Sequence, residues 1–221
     1  MTGQAKAISY GAATIINAIA TGKGAAFGVD LWTKAEVKLT SNPGIVEGEI
    51  VSDPAEKPIL IEKTVKRVLE YFGLKEKYGA KVKTWSNIPI ARGLKSSSAA
   101  ANAIALATVA ALNKELNDLT IVNLGVNGAL DAKVTITGAF DDACASYFGG
   151  IVITDNLKRK IVKRFAAPEK LTVLFHIPKE KAYTINSDVP RMKAVAPLVK
   201  IAYKEALRGN FWSALTLNGL I

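Results

Sequence analysis

The sequence predicts a mixed α+β fold, and three observations lead to that prediction. Residues in the first part of the chain alternate between apolar and polar as strands do, a segment with helical apolar spacing follows, and an alanine-rich run comes after a further strand. The order strand, strand, helix, strand, loop, helix is typical of mixed α+β packing. With 221 residues and 49% hydrophobic content, the chain can form one large domain or two smaller ones around a substantial core.

The first strands enclose a segment that is punctuated by glycines. Ala5–Tyr10 is predicted as a short strand, and the glycines at 22, 24 and 28 within Gly11–Asp30 predict tight backbone turns close to a bound group. The alternative for this stretch is a glycine-rich hairpin with a solvated lysine, Lys23. A P-loop is excluded because Asn17 replaces a required glycine, and the dinucleotide pattern Gly-x-Gly-x-x-Gly lacks its third glycine.

The next elements lead to a serine-rich loop. Val29–Thr40 alternates as a half-buried strand, Asn42–Gly44 is a turn, and Ile45–Ser52 is predicted to return as the partner of that strand. Apolar residues at helical spacing predict a helix over Pro58–Phe72, and Ala80–Ile88 is predicted as the strand that enters the loop.

The stretch Pro89–Leu106 is predicted to be a loop that becomes a helix at Ser96, Ser97 and Ser98. The first N–H groups of a helix lack intrahelical partners and lie at the positive end of its dipole, so phosphate oxygens can bind there. Gly93 permits close backbone approach, and the serine hydroxyls can cap the helix, touch phosphate or ligate magnesium. The alternative is an ordinary serine-capped core helix.

Two adjacent carboxylates, Asp141 and Asp142, lie within Thr137–Gly150, between a glycine and a run of small residues. One of them could orient or deprotonate an acceptor hydroxyl near a phosphate. The alternative is that one of them is the N-cap of a helix, a position that aspartate favours.

The remaining segments are predicted as further helices and strands. Leu116–Val134 is weakly helical, with Asp118 or Thr120 as its start. Strands are predicted over Ile151–Asp155, Lys160–Phe165 and Leu171–His176, and helices over Val189–Leu207 and Phe211–Leu217.

Composition excludes several classes of protein. The single cysteine and the single histidine cannot form a disulfide framework or a Cys- or His-based metal cluster, so any metal is expected on oxygen ligands. The chain lacks an apolar run of the roughly 20 residues that span a bilayer and an N-terminal secretion signal, which predicts a cytoplasmic protein. The net charge of +10 favours anionic ligands, and the basic run Lys158–Arg164 is interpreted as a solvated strand edge.

The motif Pro89-x-x-x-Gly93-Leu94-x-Ser96-Ser97, followed by small residues, resembles the second signature of a small-molecule kinase superfamily. That superfamily is named GHMP after galactokinase, homoserine kinase, mevalonate kinase and phosphomevalonate kinase. The triple serine after Lys95, the segment Gly11–Leu31 and the run Gly-Ala-Phe-Asp-Asp resemble its archaeal shikimate kinase branch. The resemblance covers the N-terminal two thirds of the chain.

The resemblance implies roles for particular residues. It implies Asp142 as the base that faces the acceptor hydroxyl, with Asp141 as its competitor, and Ser97 as the magnesium contact. Asn17 and Lys23 are the candidates for binding the substrate. The residues implied in binding the ATP phosphates are Pro89, Ile90, Ala91, Arg92, Gly93, Leu94, Lys95, Ser96, Ser97, Ser98 and Ala99.

The resemblance also implies a fold and an activity. Residues 1–152 are expected to form an ATP-binding domain like domain 2 of ribosomal protein S5, and residues 153–221 an incomplete ferredoxin-like domain. The expected reaction is Mg2+- and ATP-dependent phosphorylation of the 3-hydroxyl of shikimate, without nucleic-acid or membrane partners. Homoserine kinase or another alcohol kinase is the alternative within the superfamily, and a non-catalytic RNA-binding module with an S5-like fold is the alternative outside it.

A third motif of the superfamily, a glycine-rich loop in the C-terminal domain, has no counterpart here, because Gly209 and Gly219 are isolated. The sequence is therefore expected to be a C-terminally truncated chain with little kinase activity. An exposed strand edge and apolar surface in its second domain would favour self-association.

Overall fold

The computed structural model describes residues 3–167, 171–177, 180 and 188–221. In these residues the strands are β1 (Gln4–Ile16), β2 (Lys23–Thr40), β3 (Val46–Ile50), β4 (Gly79–Ser86), β5 (Ile151–Asp155) and β6 (Lys160–Phe165). The helices are α1 (Ile59–Tyr71), α2 (Ser96–Ala111), α3 (Asp118–Asp131), α4 (Phe140–Phe148), α5 (Val189–Ala194), α6 (Ala196–Leu207) and α7 (Phe211–Gly219). The predicted mixed α+β character of the chain is confirmed.

The long strand β2 organises the sheet. β1 runs antiparallel along one side of β2, while β4 and β5 share the other side, β4 against its second half and β5 against its first. The prediction that Ile45–Ser52 pairs with β2 is wrong: β3 lies parallel to β4, which separates it from β2. The helix α1 connects β3 to β4, as a parallel pair of strands requires a crossover.

The glycine-rich segment between Gly11 and Asp30 is mostly strand, not a series of turns. β1 continues through Gly11 with a shift of register beside Tyr10, and β2 already begins at Lys23. Gly22 is in the left-handed region, with φ of 70°, and helps to form the turn between β1 and β2. The other two glycines lie within β2, where helix α4 approaches the strand too closely for a side chain: a Cβ at Gly28 would lie 3.1 Å from the Ala145 carbonyl oxygen.

Helix α2 lies against the sheet and is almost entirely buried. Its small side chains allow it to pack between β1 and β2 on one side and α1, α3 and α4 on the others. The core beside it combines Val37 and Leu39 of β2 with Val65 and Leu69 of α1 and Ile104 of α2. The alternation predicted for the second half of β2 is confirmed by the burial of these inward-facing residues.

The second half of the chain departs from prediction at three points. Leu171–His176 is not a strand: it pairs with no described strand, and Leu174 in its middle is 92% exposed. The helix predicted over 189–207 divides into α5 and α6 at Val195, whose ψ of 9° departs from helical geometry. Helix α3 is capped by Asn117, whose side chain accepts a hydrogen bond from the Thr120 N–H at 2.9 Å.

No helix of the described ranges is long and apolar enough to cross a membrane.

The sheet also bears on the predicted domain boundary. The boundary between residues 152 and 153 falls inside β5, and β5 pairs with β2 across the same sheet. Helices α6 and α7 cover this end of the sheet, where Ala202 and Ala214 pack with Ile15 and Ile153. The division into two domains therefore stays a prediction.

Candidate active site

Helix α2 follows the serine loop, and its N-terminus is open, which means that no side chain caps it. The N-cap is Lys95, which has a left-handed backbone with φ of 60°, and no side chain caps the helix. The serines occupy the first helical turn, so the interpretation of them as ordinary capping residues is wrong. Since the first N–H groups of a helix have no intrahelical partner, this end of α2 can receive the oxygens of an anion.

Helix α4 begins in the same way. Its N-cap is Ala139, with φ of 47° and no side-chain cap, and Asp141 and Asp142 lie in the first turn. The interpretation of either aspartate as the N-cap is therefore wrong. Both aspartates are almost completely buried, at 3% and 6% exposure. Aspartates that served only as polar surface residues would be exposed to solvent.

A buried hydrogen-bond network fixes α4 against the neighbouring elements. The Asn102 amide of α2 donates to the Ala143 carbonyl at 2.9 Å and to the Ser146 hydroxyl at 3.3 Å. The Ser146 hydroxyl also bonds the Tyr10 carbonyl of β1 and lies 3.0 Å from the Ser9 hydroxyl. Because these contacts join both α2 and β1 to α4, the network fixes the position of the helix that carries the aspartates. Sequence reasoning missed Asn102, although an amide within an alanine-rich run was a signal.

The two aspartates have different partners. Lys95 Nζ lies 3.1 Å from Asp142 Oδ2, while Asp142 Oδ1 is buried and bonded to no atom of the described residues. Asp141 Oδ1 accepts a hydrogen bond from Asn156 Nδ2 at 2.8 Å. The free oxygen of Asp142 is thus the one that can accept a hydrogen bond from a ligand.

Electrostatics separate the two aspartates further. Burial, and then the nearby charge of Asp142, raises the pKa of Asp141 to about 7. Burial alone would lower the pKa of Lys95, but the carboxylates of Asp142 and Asp141 outweigh it and hold that pKa above its usual value. At neutral pH the lysine is therefore charged, and Asp141 is partly protonated.

Two clefts meet at the N-terminus of α2. The polar cleft has a volume of 310 Å³ and contains both aspartates, Lys95 and the three serines. The apolar cleft has a volume of 460 Å³ and lies between the start of α1 and the loop that follows α3. Four residues line both clefts: Ala91, Ser96, Ser97 and Val134. An elongated ligand can therefore lie in the apolar cleft and reach the polar one along the serine turn.

The candidate residues do not all reach the clefts. Asn17 lines the polar cleft and Ile90 the apolar one, whereas Leu94 and Ala99 are buried in a small core beneath the loop. Lys23 lies outside the lining of either cleft, with its Nζ 5.8 Å from the centre of the Tyr203 ring. Residues of the polar cleft that sequence reasoning missed are Thr14, Thr135, Thr137 and Met192. Single threonines in strands and loops carry no sequence signal.

The residues fit a magnesium ion that is shared with a ligand. In the part of the chain that the structure describes, no group of three or more His, Cys, Asp or Glu side chains could hold a metal on its own. The polar cleft nevertheless offers the Ser97 hydroxyl. Magnesium commonly takes one or two protein oxygens and completes its shell with phosphate oxygens and water.

The open N-terminus of α2 and the buried Lys95–Asp142 pair lie beside a mixed sheet, and comparison with known proteins identifies the class of protein that has this fold. Residues 60–150 match the family described as GHMP kinases N terminal domain. The fold is similar to that of a galactokinase from Lactococcus lactis solved with galactose, with a TM-score of 0.68 over 97% of this chain and 74% of that one at 15% identity.

Closer relatives identify the branch. The chain is 49% identical over 221 residues to the shikimate kinase of Methanosarcina mazei, and the match covers 100% of this chain and 74% of that protein. It is 52% identical to the shikimate kinase of Methanosarcina acetivorans over 100% of this chain and 74% of that protein. The chain belongs to the archaeal shikimate kinase family, a branch of the GHMP kinases.

Proposed function

We propose that this protein transfers the γ-phosphoryl group of ATP to the 3-hydroxyl of shikimate, giving shikimate 3-phosphate and ADP. The observation that carries the proposal is the buried, unpartnered Asp142 Oδ1 beside Lys95, in the same cleft as the open N-terminus of α2. Phosphoryl transfer needs donors that hold the phosphates, a group that orients the attacking hydroxyl and a positive charge near the reacting groups. In the cleft these are the N-terminus of α2, Asp142 Oδ1 and Lys95.

The nucleotide has a natural position across the two clefts. The adenosine occupies the apolar cleft beside Ile59 and Ile90, which excludes water from the base. The phosphates follow the shared wall at Ser96 and Ser97, where the backbone N–H groups and the helix dipole stabilise negative charge. The γ-phosphoryl group then enters the polar cleft, close to the aspartates.

The acceptor lies in the remainder of the polar cleft. Asp142 Oδ1 accepts the hydrogen bond of the 3-hydroxyl, which orients the oxygen for attack on phosphorus, and takes the proton as the new P–O bond forms and the bond to ADP breaks. Lys95 remains protonated and stabilises the charge of Asp142 before the transfer. Threonine hydroxyls and the Asn17 amide around the cleft suit an acceptor with several hydroxyl groups.

Magnesium belongs to the same proposal. Ser97 is the residue that would hold it, together with phosphate oxygens of the nucleotide, since Asp142 Oδ1 is assigned to the acceptor hydroxyl. When bound, the ion neutralises charge on the phosphates and thereby favours attack by the hydroxyl.

We also propose the finer architecture that the family implies. Residues 1–152 form the ATP-binding domain, of the type found in domain 2 of ribosomal protein S5, and residues 153–221 belong to a ferredoxin-like domain. Support comes from the position of both clefts, which are lined almost wholly by residues before 152.

The test is a coupled ADP-release assay of the protein with shikimate, homoserine and mevalonate in turn, with the product identified by phosphorus NMR. However low the total activity, shikimate should support the fastest ADP release of the three acceptors, and the product should carry the phosphate on its 3-hydroxyl. Preferred turnover of homoserine or mevalonate would refute the substrate assignment. Binding of RNA that falls steeply with salt, without any ATP affinity, would refute the enzyme assignment altogether.

A further inference from the structure

The loop that follows β1 forms one wall of the polar cleft. Asn17, Ala18 and Ile19 all line the cleft, directly after the buried end of β1 at Ile16. The Asn17 side chain accepts a hydrogen bond from the Ile19 N–H at 2.9 Å through Oδ1. Since Oδ1 is engaged in this local turn, Nδ2 is the group of Asn17 that can donate to an oxygen of the acceptor.

A residue from the far end of the chain holds this loop. The backbone N–H of Asn17 donates to Asn218 Oδ1 at 3.0 Å, across 201 positions of sequence. Asn218 lies near the end of α7, and its side chain is half-buried. Asn17 is the first residue beyond β1, where the sheet no longer supplies a partner for its N–H.

The helix that carries Asn218 is itself firmly placed. Ala214 of α7 is fully buried against Ile15 and Ile16, the residues at the end of β1. The ring of Trp212 packs edge to face on Phe27 of β2, with 6.0 Å between the ring centres. A rigid helix therefore presents the Asn218 amide to the loop, which is what a fixed cleft wall requires.

We propose that Asn218 is a positioning residue for the acceptor: it fixes the Asn17–Ile19 loop so that Asn17 Nδ2 faces the substrate. The inference rests on the proposed function, because shikimate is the acceptor that the loop would contact. Asn218 touches neither cleft, so its effect passes through the backbone of Asn17.

The test compares three variants of the full chain. Asn218→Ala removes the acceptor, Asn218→Asp keeps an oxygen at the same position, and Thr216→Ala is the matched control, because its hydroxyl bonds only to the Trp212 carbonyl within α7. Hydrogen exchange at the Asn17 amide measures the bond itself. Michaelis constants for shikimate and for ATP, and calorimetric binding of shikimate alone, measure its effect on the cleft.

Asn218→Ala should speed exchange at the Asn17 amide and raise the KM and Kd for shikimate about fivefold, as the loss of one hydrogen bond of ordinary strength does. The KM for ATP should change less than twofold. Asn218→Asp should restore most of the shikimate affinity, and Thr216→Ala should behave as the wild type. A purely structural role would instead lower the melting temperature and raise both constants together.

Two results would overturn the inference: unchanged exchange at the Asn17 amide in Asn218→Ala, or faster exchange with wild-type affinity for shikimate. Failure of the proposed function looks different. In that case the wild-type chain neither binds shikimate nor releases ADP with it, whatever the Asn218 variants do to the amide.

Discussion

Gly24 is the position where a single added methyl group should disturb Asp141 most directly, next to the proposed base Asp142. A Cβ built on this residue of β2 lies 2.2 Å from Asp141 Oδ2 and 2.6 Å from its carboxyl carbon. Ordinary contact begins at 3.4 Å, so the oxygen must retreat by about 1.2 Å, the difference between 3.4 and 2.2 Å. The other oxygen of the same carboxyl group, Oδ1, accepts a hydrogen bond from Asn156 Nδ2 at 2.8 Å, and a movement of the whole carboxyl group weakens or breaks that bond.

The magnitude follows from that displacement. Forcing an extra methyl group into a packed interior costs about 1–3 kcal/mol of stability. Asp141 precedes Asp142 in the first turn of α4, so the aspartates move together if the helix yields. A shift of about 1 Å at a reacting group lowers turnover by up to about a hundredfold. We therefore expect the folded Gly24→Ala variant to have a kcat about tenfold to a hundredfold below that of the wild type.

Gly128→Ala is the matched control, since its Cβ would lie 2.4 Å from Thr64 Oγ1, an overlap of similar size between α3 and α1. Both variants should lose comparable stability in thermal unfolding. Only Gly24→Ala should lose turnover in the ADP-release assay at a temperature where both are folded. Equal turnover of the two variants would show that the position of Asp141 does not matter to the reaction.

Three further predictions concern the aspartates and the serine turn. Ser97→Ala should raise the KM for magnesium-ATP and lower kcat, at a stability cost of at most about 1 kcal/mol. Shikimate binding, measured by calorimetry, should be unchanged. Unchanged kinetics would remove Ser97 from the nucleotide site. Asp142→Asn should lower kcat by at least about a hundredfold with shikimate still bound, and Asp141→Asn should be milder; equal small effects would remove Asp142 as the base. The pKa of Asp141 is raised from 3.8 to about 7, so the folded chain loses stability as pH rises between these values. The Asp141→Asn variant does not undergo this titration. In urea titrations, its unfolding free energy should therefore exceed that of the wild type by more at pH 8 than at pH 5. An equal gain at both pH values would contradict that titration.

Local signals in the sequence were sufficient to predict the start of helix α2. Glycine before the serines and alanines after them predicted that a helix begins there, and α2 begins at Ser96. The same holds for α1, whose apolar spacing and terminal Gly73 are both properties of neighbouring residues. These elements are decided by propensity and by short-range hydrogen bonds, which a sequence displays directly.

Long-range pairing was not predictable in the same way. The turn at Asn42–Gly44 predicted a strand over Ile45–Ser52, but the partner predicted for it, the preceding strand, was wrong. The backbone hydrogen bonds of a strand do not depend on which neighbour supplies them, so local sequence does not identify that neighbour. The pairing of Lys95 with Asp142 and of Asn102 with Ser146 depends on how α4 packs against α2. Leu171–His176 shows the converse, a strand-like pattern that pairs with no strand of the described sheet.

The backbone around the site carries strain that has a chemical use. Three residues with side chains adopt the left-handed region at the polar cleft: Ala91, Lys95 and Ala139. Each such residue costs about 1 kcal/mol or more, and such strain is common at ligand sites.

At Lys95 and Ala139 the left-handed residue is the N-cap itself, a position that usually carries a serine, threonine or aspartate whose side chain would satisfy the first N–H groups. The two helices thus begin without an internal acceptor. Their N–H groups remain available to a ligand, and at α2 the left-handed turn also directs the Lys95 side chain to Asp142. The same backbone feature therefore leaves the helix N-terminus uncapped and brings Lys95 to Asp142 beside it.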